Sequence, residues 1–171
     1  MANQAAVVHS TENRATVAHR PPMFRALVAI IVLGIIGLGI SGYLTYTHFN
    51  EAALVCSVGG CETVQSSQYS TIGPVPVALL GVAMFAAVIG MAAMRLSQRE
   101  LVSDETVSML AWGMLLTGIL YYVYLTYVEL FVLNAICQWC VLSSFAAVGI
   151  FGLETAYLYR TVMSDDPLDA L

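Results

Sequence analysis

Four long apolar blocks dominate the sequence, and each is long enough to cross a lipid bilayer. They run over 26–49, 73–94, 107–128 and 135–153 without a charged residue, and the last can extend to 159. At 1.5 Å rise per residue they reach roughly 28 to 36 Å, against about 30 Å of hydrocarbon. Because the blocks are apolar on all sides, they favour four transmembrane helices over a large soluble bundle. The predicted fold is an all-α integral membrane bundle.

The polar and apolar segments divide the chain into one membrane domain and two tails. Residues 1–22 are polar, show no apolar periodicity and are predicted to form a disordered tail. The membrane domain covers 23–160, and an acidic tail covers 161–171. Gly37 and Ser41 form a pair of small residues four positions apart, which would let a neighbouring helix approach closely. The first block is too long for a signal-peptide core, so it is expected to remain as a helix.

Orientation follows from the basic residues, because arginines beside short loops stay on the cytoplasmic side of a membrane. With four spans, all six basic residues fall on one side: Arg14, Arg20, Arg25, Arg95, Arg99 and Arg160. Both termini are therefore predicted to be cytoplasmic. The other two connections, a long one over 50–72 and a short one over 130–134, face outward.

The long outer connection contains turn signals and one candidate surface element. Gly59 and Gly60 indicate a tight turn, and the Gly-Pro-Val-Pro run at 73–76 is typical of a turn that leads into the first turn of a helix. Between them, residues 62–69 are predicted to form a short helix on the membrane surface.

Composition agrees with a membrane protein and excludes nucleic-acid binding. The chain is 59% hydrophobic and 10% charged, and its net charge of -5 leaves no basic stripe to neutralise phosphates. The partner that the sequence does imply is a lipid bilayer. Any chemistry must therefore lie in the bilayer or beside it.

Four cysteines carry the candidate chemistry, and all four fall on the predicted outer side. Cys56 and Cys61 lie in the long outer loop, and Cys137 and Cys140 form a CxxC at the start of the fourth helix. A helix N-terminus favours thiolate, and the three-residue spacing puts both sulfurs on one face. The loop pair lies on a Gly-containing segment, predicted to be flexible enough to reach both a soluble partner and the fourth helix. Two pairs in series can relay two electrons by thiol-disulfide exchange.

Other interpretations of these residues remain open. The four thiolates could bind zinc, or the cysteines could be packing residues or static disulfides. His48 and Glu129 lie near the same face, but an interfacial His or carboxylate needs no function. A tyrosine cluster could line a quinone pocket or belong to an aromatic belt: Tyr121, Tyr122, Tyr124 and Tyr127.

The pattern resembles the vitamin K epoxide reductase family in its bacterial, stand-alone form. The residues that carry the resemblance are Cys56-x4-Cys61 with the run Cys61-Glu-Thr-Val-Gln-Ser-Ser67, the Gly-Pro-x-Pro run at 73–76, and Cys137-x2-Cys140. The order of the pairs separates this chain from DsbB, an unrelated four-helix oxidase with its CxxC in the first outer loop.

The resemblance implies a role for each of these residues. Cys140 would face a quinone, ubiquinone or menaquinone, with Cys137 as its partner. Cys137 would exchange with Cys61, and Cys56 would meet the external substrate. Ser67 matches a loop serine near the quinone, where a hydroxyl can bond a carbonyl oxygen, although a loop serine is also commonly a local cap.

The function expected from the sequence is that of a membrane thiol oxidase in a bacterial cytoplasmic membrane. It would take two electrons from a DsbA-like or thioredoxin-like dithiol protein, because a fused thioredoxin-like domain is not expected here. Ser144 stands where the animal enzymes have Tyr, and the second block has no Asn or Gln, which disfavours epoxide reduction. The alternatives are a quinone-epoxide or disulfide reductase on the same fold, and a metal-binding or structural membrane protein.

Overall fold

The protein is a bundle of four long helices with a small folded loop at one end. The computed structural model describes residues 20–50, 53–57, 59–97 and 104–164. The long helices are α1 (Arg20–Phe49), α3 (Val77–Leu96), α4 (Asp104–Tyr127) and α5 (Gln138–Ser164), and a short helix, α2, covers Cys61–Gln65. All four long helices are long and apolar enough to cross a membrane. The predicted all-α, four-span fold is confirmed.

The N-terminal and C-terminal ends of the membrane domain differ slightly from the predicted boundaries. α1 begins at Arg20 instead of residue 26, and Pro21 and Pro22 lie in its first turn, where a missing N–H interrupts no helical hydrogen bond. α5 continues to Ser164, beyond the predicted limit at 160. The rest of the two predicted tails lies outside the described residues.

The second span begins four residues later than the sequence pattern predicts. Instead of opening a helix, Gly73 lies in the turn of a two-stranded hairpin in which β1 (Thr71–Ile72) pairs antiparallel with β2 (Val75–Pro76). Prolines at 74 and 76 explain the difference, because a residue that precedes proline avoids the helical region. Gly73 takes the positive φ of 61° that the turn requires.

The third span extends through the region predicted as a short outer loop at 130–134. α4 continues into a π-helical turn over Val128–Leu133, and the chain leaves it at Asn134, which adopts the left-handed conformation with φ 49°. Asparagine tolerates this conformation better than most residues. The wide turn buries the side chains of Val128 and Glu129.

The folded loop contains the predicted surface helix in two short pieces. α2 covers Cys61–Gln65, and a 3-10 turn covers Gln68–Ser70. Gln65 Nε2 donates to the Thr47 hydroxyl at 3.2 Å and to the Leu44 carbonyl at 3.4 Å. α2 is therefore attached to the end of α1 and does not lie free on the membrane surface.

Small residues bring α1 and α3 close together. The ring of Phe85 occupies the place where a Cβ on Gly37 would be, and a Cβ on Gly81 would meet the Ser41 hydroxyl at 2.8 Å. Packing of this kind stabilises helix pairs in lipid, where no hydrophobic force draws helices together. The predicted role of the Gly37 and Ser41 pair is thus realised. The main core of the bundle is formed by Leu27, Ile30, Phe85, Val88, Ala92, Leu115, Ala146, Ala147, Ile150 and Tyr157.

A buried ion pair joins α3 to α5 at the end of the bundle opposite to the folded loop. Arg95 Nη1 lies 2.9 and 3.0 Å from the two carboxylate oxygens of Glu154, and the side chains are 2% and 1% exposed. The guanidinium carbon also lies 5.1 Å from the centre of the Tyr157 ring. Charges at this depth are expensive unless they are paired, so each side chain depends on the other.

We expect removal of either partner alone to destabilise the protein strongly. Arg95→Met leaves the Glu154 carboxylate buried without its cation and should cost about 3–5 kcal/mol of unfolding free energy. The double variant Arg95→Met/Glu154→Leu removes both charges and should recover most of that loss. Helical circular dichroism during denaturation in detergent micelles measures the effect. Arg25→Met, at an exposed position of α1, is the control, and a double variant no more stable than the single one would contradict this view.

Candidate active site

The two loop cysteines are joined as a disulfide whose members differ in exposure. Cys56 and Cys61 are bonded, with 6.2 Å between their Cα atoms. Cys61 opens α2 and is fully buried, whereas Cys56 is only partly buried and follows Val55, which is 66% exposed. The other two cysteines, Cys137 and Cys140, are not bonded, so the structure holds one disulfide and one reduced pair. Cys56 is the more accessible end of it.

Aromatic side chains from two helices hold the segment that leads to Cys56. The Tyr43 hydroxyl of α1 donates to the Ala53 carbonyl at 3.1 Å and accepts the Val55 N–H at 2.9 Å. The Trp139 indole of α5 donates to the Val55 carbonyl at 2.9 Å. The Tyr43 and Trp139 rings are themselves 5.1 Å apart. Trp139 thus ties the start of α5 to the loop.

Gly60 brings the loop against the segment that precedes α5. It has φ 118°, in the left-handed region, and a Cβ there would lie 2.9 Å from the Ile136 backbone nitrogen. Only glycine meets both requirements without strain. The following residue, Cys61, packs with Cys137 in one buried cluster with Ile40 and Leu44. The flexibility predicted for the loop is therefore not required to bring these two sulfurs together.

Cys137 and Cys140 are free thiols arranged as the cap and first turn of α5. The sequence pattern predicts a helix from 135, but α5 begins at Gln138, so Cys137 is the capping residue. Its carbonyl accepts the Val141 N–H at 3.1 Å, and its sulfur accepts the Cys140 N–H at 3.4 Å. A hydrogen bond from the Cys140 thiol, aided by that backbone N–H, lowers the pKa of the Cys137 thiol, although burial acts in the opposite direction. Backbone N–H groups at the start of α5 make a smaller contribution that also lowers this pKa.

A buried carboxylate, Glu129, completes this group. Its side chain is 5% exposed, its Oε2 accepts the Cys137 N–H at 3.3 Å, and the Cys140 thiol is within hydrogen-bonding reach. Sequence patterns alone assign no role to this residue. An acidic residue directly beside a long apolar block, on the face that carries the cysteines, could have indicated a functional site.

A cavity of about 720 Å³ extends from Cys140 into the half of the bundle that adjoins the folded loop. Such a volume suits a small organic ligand. Most of its wall is apolar and comes from α1, α3, α4 and α5, and its polar members include Ser67, Tyr122, Glu129 and Ser143. Two residues of the predicted tyrosine cluster besides Tyr122 also line it, Tyr121 and Tyr124.

Ser67 lies in the wall of this cavity, but its hydroxyl already has a partner. The Ser67 Oγ donates to the Val64 carbonyl at 2.7 Å, which is the local capping bond weighed in the sequence analysis. In this rotamer the oxygen can accept a hydrogen bond but cannot donate one to a ligand carbonyl. The Tyr122 hydroxyl, 2.8 Å from the Ser143 hydroxyl, is a second polar group in the wall.

The four cysteines do not form a metal centre in this arrangement. A zinc site of four thiolates needs all four sulfurs ionised, and two of them are joined here as a disulfide. Across the described ranges, no cluster of three or more His, Cys, Asp or Glu side chains has the geometry to hold a metal ion.

Comparison with known proteins identifies one family. A model of the vitamin K epoxide reductase family matches residues 28–155, which include the four cysteines, Ser67 and Glu129. No curated protein matches the chain closely enough to count as a relative.

We expect Gly60→Ala to disturb the contact between the loop and the start of α5. A residue with a Cβ pays strain of about 1–3 kcal/mol at this φ and also collides with the Ile136 backbone. The unfolding midpoint should fall. In a Cys56→Ser/Cys140→Ser background, oxidation of Cys61 with Cys137 to a disulfide should become slower. Gly59→Ala is the matched control, because a Cβ there meets no atom within 4 Å; equal behaviour of the two variants would show that Gly60 does not position the loop.

Proposed function

The chain belongs to the vitamin K epoxide reductase family, and is thus a membrane oxidoreductase of the disulfide-exchanging kind; on this premise we propose that it is a thiol oxidase. It takes two electrons from an external dithiol protein through Cys56 and Cys61. The electrons pass to Cys137 and Cys140 and then to a membrane quinone. The observation that carries the proposal is that two buried cysteines, Cys61 and Cys137, lie between two partly accessible ones, Cys56 and Cys140.

The path starts at the accessible sulfur and ends at the cavity. Cys56 is the exposed end of the loop disulfide, Cys61 and Cys137 are fully buried in one cluster, and Cys140 lies in the cavity wall. A protein too large to enter the bundle can reach only the first of these sulfurs. A small lipid-soluble acceptor can reach only the last. The burial of the middle pair keeps the internal exchange away from other thiols.

In each exchange a thiolate attacks a disulfide, and two electrons pass from the dithiol to the disulfide. An external thiolate attacks Cys56, and its second thiol resolves the mixed disulfide, which leaves the donor oxidised and both loop cysteines reduced. The Cys61 thiolate then attacks Cys137 in a Cys137–Cys140 disulfide, and Cys140 leaves as a thiolate that takes up the proton released from Cys61. Cys56 resolves the Cys61–Cys137 bond. The result is a loop disulfide with a reduced inner pair, which is the pairing in the structure.

The cavity beside Cys140 fits a quinone, ubiquinone or menaquinone. Its wall is mostly apolar, as an isoprenoid quinone requires, and its volume is adequate for a ring and part of a tail. A quinone bound there would accept two electrons and two protons from the inner dithiol. If Ser143 donates to Tyr122, the Tyr122 phenol keeps its proton for a ligand carbonyl. Ser67 can serve in the same way after rotation of its hydroxyl.

We propose that the protein lies in a bacterial cytoplasmic membrane with the cysteines on the outer face. Glu154, which pairs with Arg95, is 14 residues beyond Cys140 on α5, or about 21 Å along the helix. Arg95 therefore lies toward the end of the bundle opposite to the cysteines, the end that the positive-inside rule assigns to the cytoplasmic side. The external donor is then a DsbA-like or thioredoxin-like protein of the periplasmic side.

The proposal predicts quinone-dependent oxidation of a dithiol protein. Purified protein in lipid nanodiscs should oxidise a reduced DsbA-like protein when a ubiquinone or menaquinone analogue is present, and Cys140→Ser should lower the rate at least 100-fold. Thiol titration of the donor and absorbance of the quinone measure the two half-reactions. Ser144→Ala, one helical turn further along α5, is the matched control because its hydroxyl only bonds the Val141 carbonyl. Activity that Cys140→Ser leaves unchanged, or electron flow only from quinol to a disulfide substrate, would contradict the proposal.

The order of the relay predicts which crosslinks accumulate in single variants. In Cys140→Ser, the Cys137 thiol can exchange with the loop disulfide, and an internal Cys61–Cys137 bond should accumulate. In Cys61→Ser, Cys56 should instead retain a mixed disulfide with the external protein. Non-reducing peptide mass spectrometry identifies both. An external protein joined to Cys137, or an internal bond that involves Cys56 and Cys140, would reverse the proposed order.

A further inference from the structure

A carboxylate that the relay itself does not use lies buried beside its last cysteine. Glu129 is 5% exposed and lines the same cavity as Cys140. Among the residues that the structure describes, no basic side chain forms an ion pair with it, since the recorded salt bridge joins Arg95 to Glu154. A carboxyl group at the edge of the hydrocarbon without a cation is expensive, and such groups usually belong to a functional site.

The local fold points this carboxylate at the inner cysteine pair. The π-helical turn widens the end of α4. The Ala135 N–H donates a hydrogen bond to the Glu129 carbonyl at 3.0 Å, which closes this turn. π turns within α-helices often occur at functional sites. The Cys137 N–H then fixes Oε2 at 3.3 Å, and the carboxyl group remains within hydrogen-bonding reach of the Cys140 thiol. One carboxylate therefore binds the backbone of Cys137 and shares the cavity wall with Cys140.

We propose that Glu129 is the catalytic base that accepts the thiol proton of Cys140. This inference rests on the proposed thiol-oxidase function. The step converts Cys140–SH and Glu129–COO⁻ into Cys140–S⁻ and Glu129–COOH, without a change in electron count. When the inner disulfide then forms, the two thiols together lose two electrons and two protons, which pass to the quinone. Glu129 carries one of these protons between the sulfur and the cavity.

Glu129 and Cys140 together carry one negative charge, because a carboxylate and a thiolate in contact repel each other. Proton transfer within the pair moves this charge from oxygen to sulfur and creates no second one. The thiolate fraction of Cys140 is then set by the internal equilibrium and changes little with pH once the pair has lost its first proton. Without the carboxyl group, thiolate must form by loss of a proton to solvent, and its fraction rises about tenfold per pH unit.

Other titratable groups face this site from the elements around it. α1 contributes His48, the loop contributes Tyr69, and α4 contributes three phenols, while α3 contributes no ionisable side chain to the cavity wall. The complete set is His48, Tyr69, Tyr121, Tyr122, Tyr124, Cys137 and Cys140. Of these, His48 carries an imidazole, so its effect is separated from that of Glu129 by a variant of its own.

The test measures Cys140 reactivity without any quinone. Dithiol-reduced protein in quinone-free detergent is treated with iodoacetamide from pH 6 to 9, and modification of Cys140 is counted by peptide mass spectrometry. The wild-type rate should change little with pH. Glu129→Gln keeps an acceptor for the Cys137 N–H but cannot take a proton. Its rate at neutral pH should be lower on the order of 100-fold and should rise about tenfold per pH unit. Glu129→Asp, which keeps a base, should retain the flat profile and covers the case in which the Gln variant does not fold.

Controls and outcomes separate this inference from the proposed function. Glu62→Gln removes an exposed carboxylate of the same loop and should leave the flat profile, and His48→Gln should leave it as well. A Gln variant with the wild-type pH profile would overturn the inference, as would uniform slowing without a change of slope, which indicates positioning alone. The steep profile together with no quinone reduction would support Glu129 as the base and refute the oxidase function. In an active enzyme, reduction of quinone by pre-reduced protein should show the same loss in Glu129→Gln.

Discussion

The contact between Gly60 and the backbone at Ile136 is the point on which the active site depends. It brings the end of the outer loop within van der Waals distance of the residues that precede α5. On either side of that contact the next residues are Cys61 and Cys137, so one close backbone approach aligns the buried members of the two pairs. The Tyr43 and Trp139 hydrogen bonds then hold the other end of the loop, with Cys56 toward the outside. A side chain at residue 60 would separate what these bonds align.

Within the part of the chain that the structure describes, two carboxylates are buried near the ends of the spans, and they are satisfied in different ways. Glu154 faces an arginine at 2.9 Å and is held as an ion in a pair that closes one end of the bundle. Glu129 faces a backbone N–H and a thiol, neither of which carries positive charge. The first arrangement fixes a charge, because a proton on Glu154 would leave a buried guanidinium unpaired. The second arrangement leaves the carboxyl group free to gain and lose a proton, which is the property that thiol chemistry needs beside it.

The sequence reveals the parts of the structure that follow from local pattern. Four apolar runs predict four spans, and arginines on one side with cysteines on the other predict which end carries the chemistry. The pattern fails where neighbours in space decide the local structure. Prolines at 74 and 76 turn a predicted helix start into a hairpin, and an apolar run alone does not distinguish an α-helical turn from the π turn that buries Glu129. The burial of Cys61 also depends on tertiary contacts that local pattern does not reveal, whereas Ser67 makes the local capping bond that the sequence offers as an alternative.

Burial also gives the two cysteine pairs a direction that their spacing alone does not. Each pair has one fully buried sulfur, Cys61 in the loop and Cys137 at the cap of α5, and one sulfur that remains partly accessible. The two buried cysteines belong to one cluster, so under the proposed function exchange between the pairs would be internal. The accessible sulfurs face different surroundings, an exposed loop for Cys56 and an apolar cavity for Cys140. Under the proposed function, a soluble donor protein and a lipid-soluble acceptor would therefore meet different ends of the relay, and electrons would pass from one pair to the other through Cys61 and Cys137.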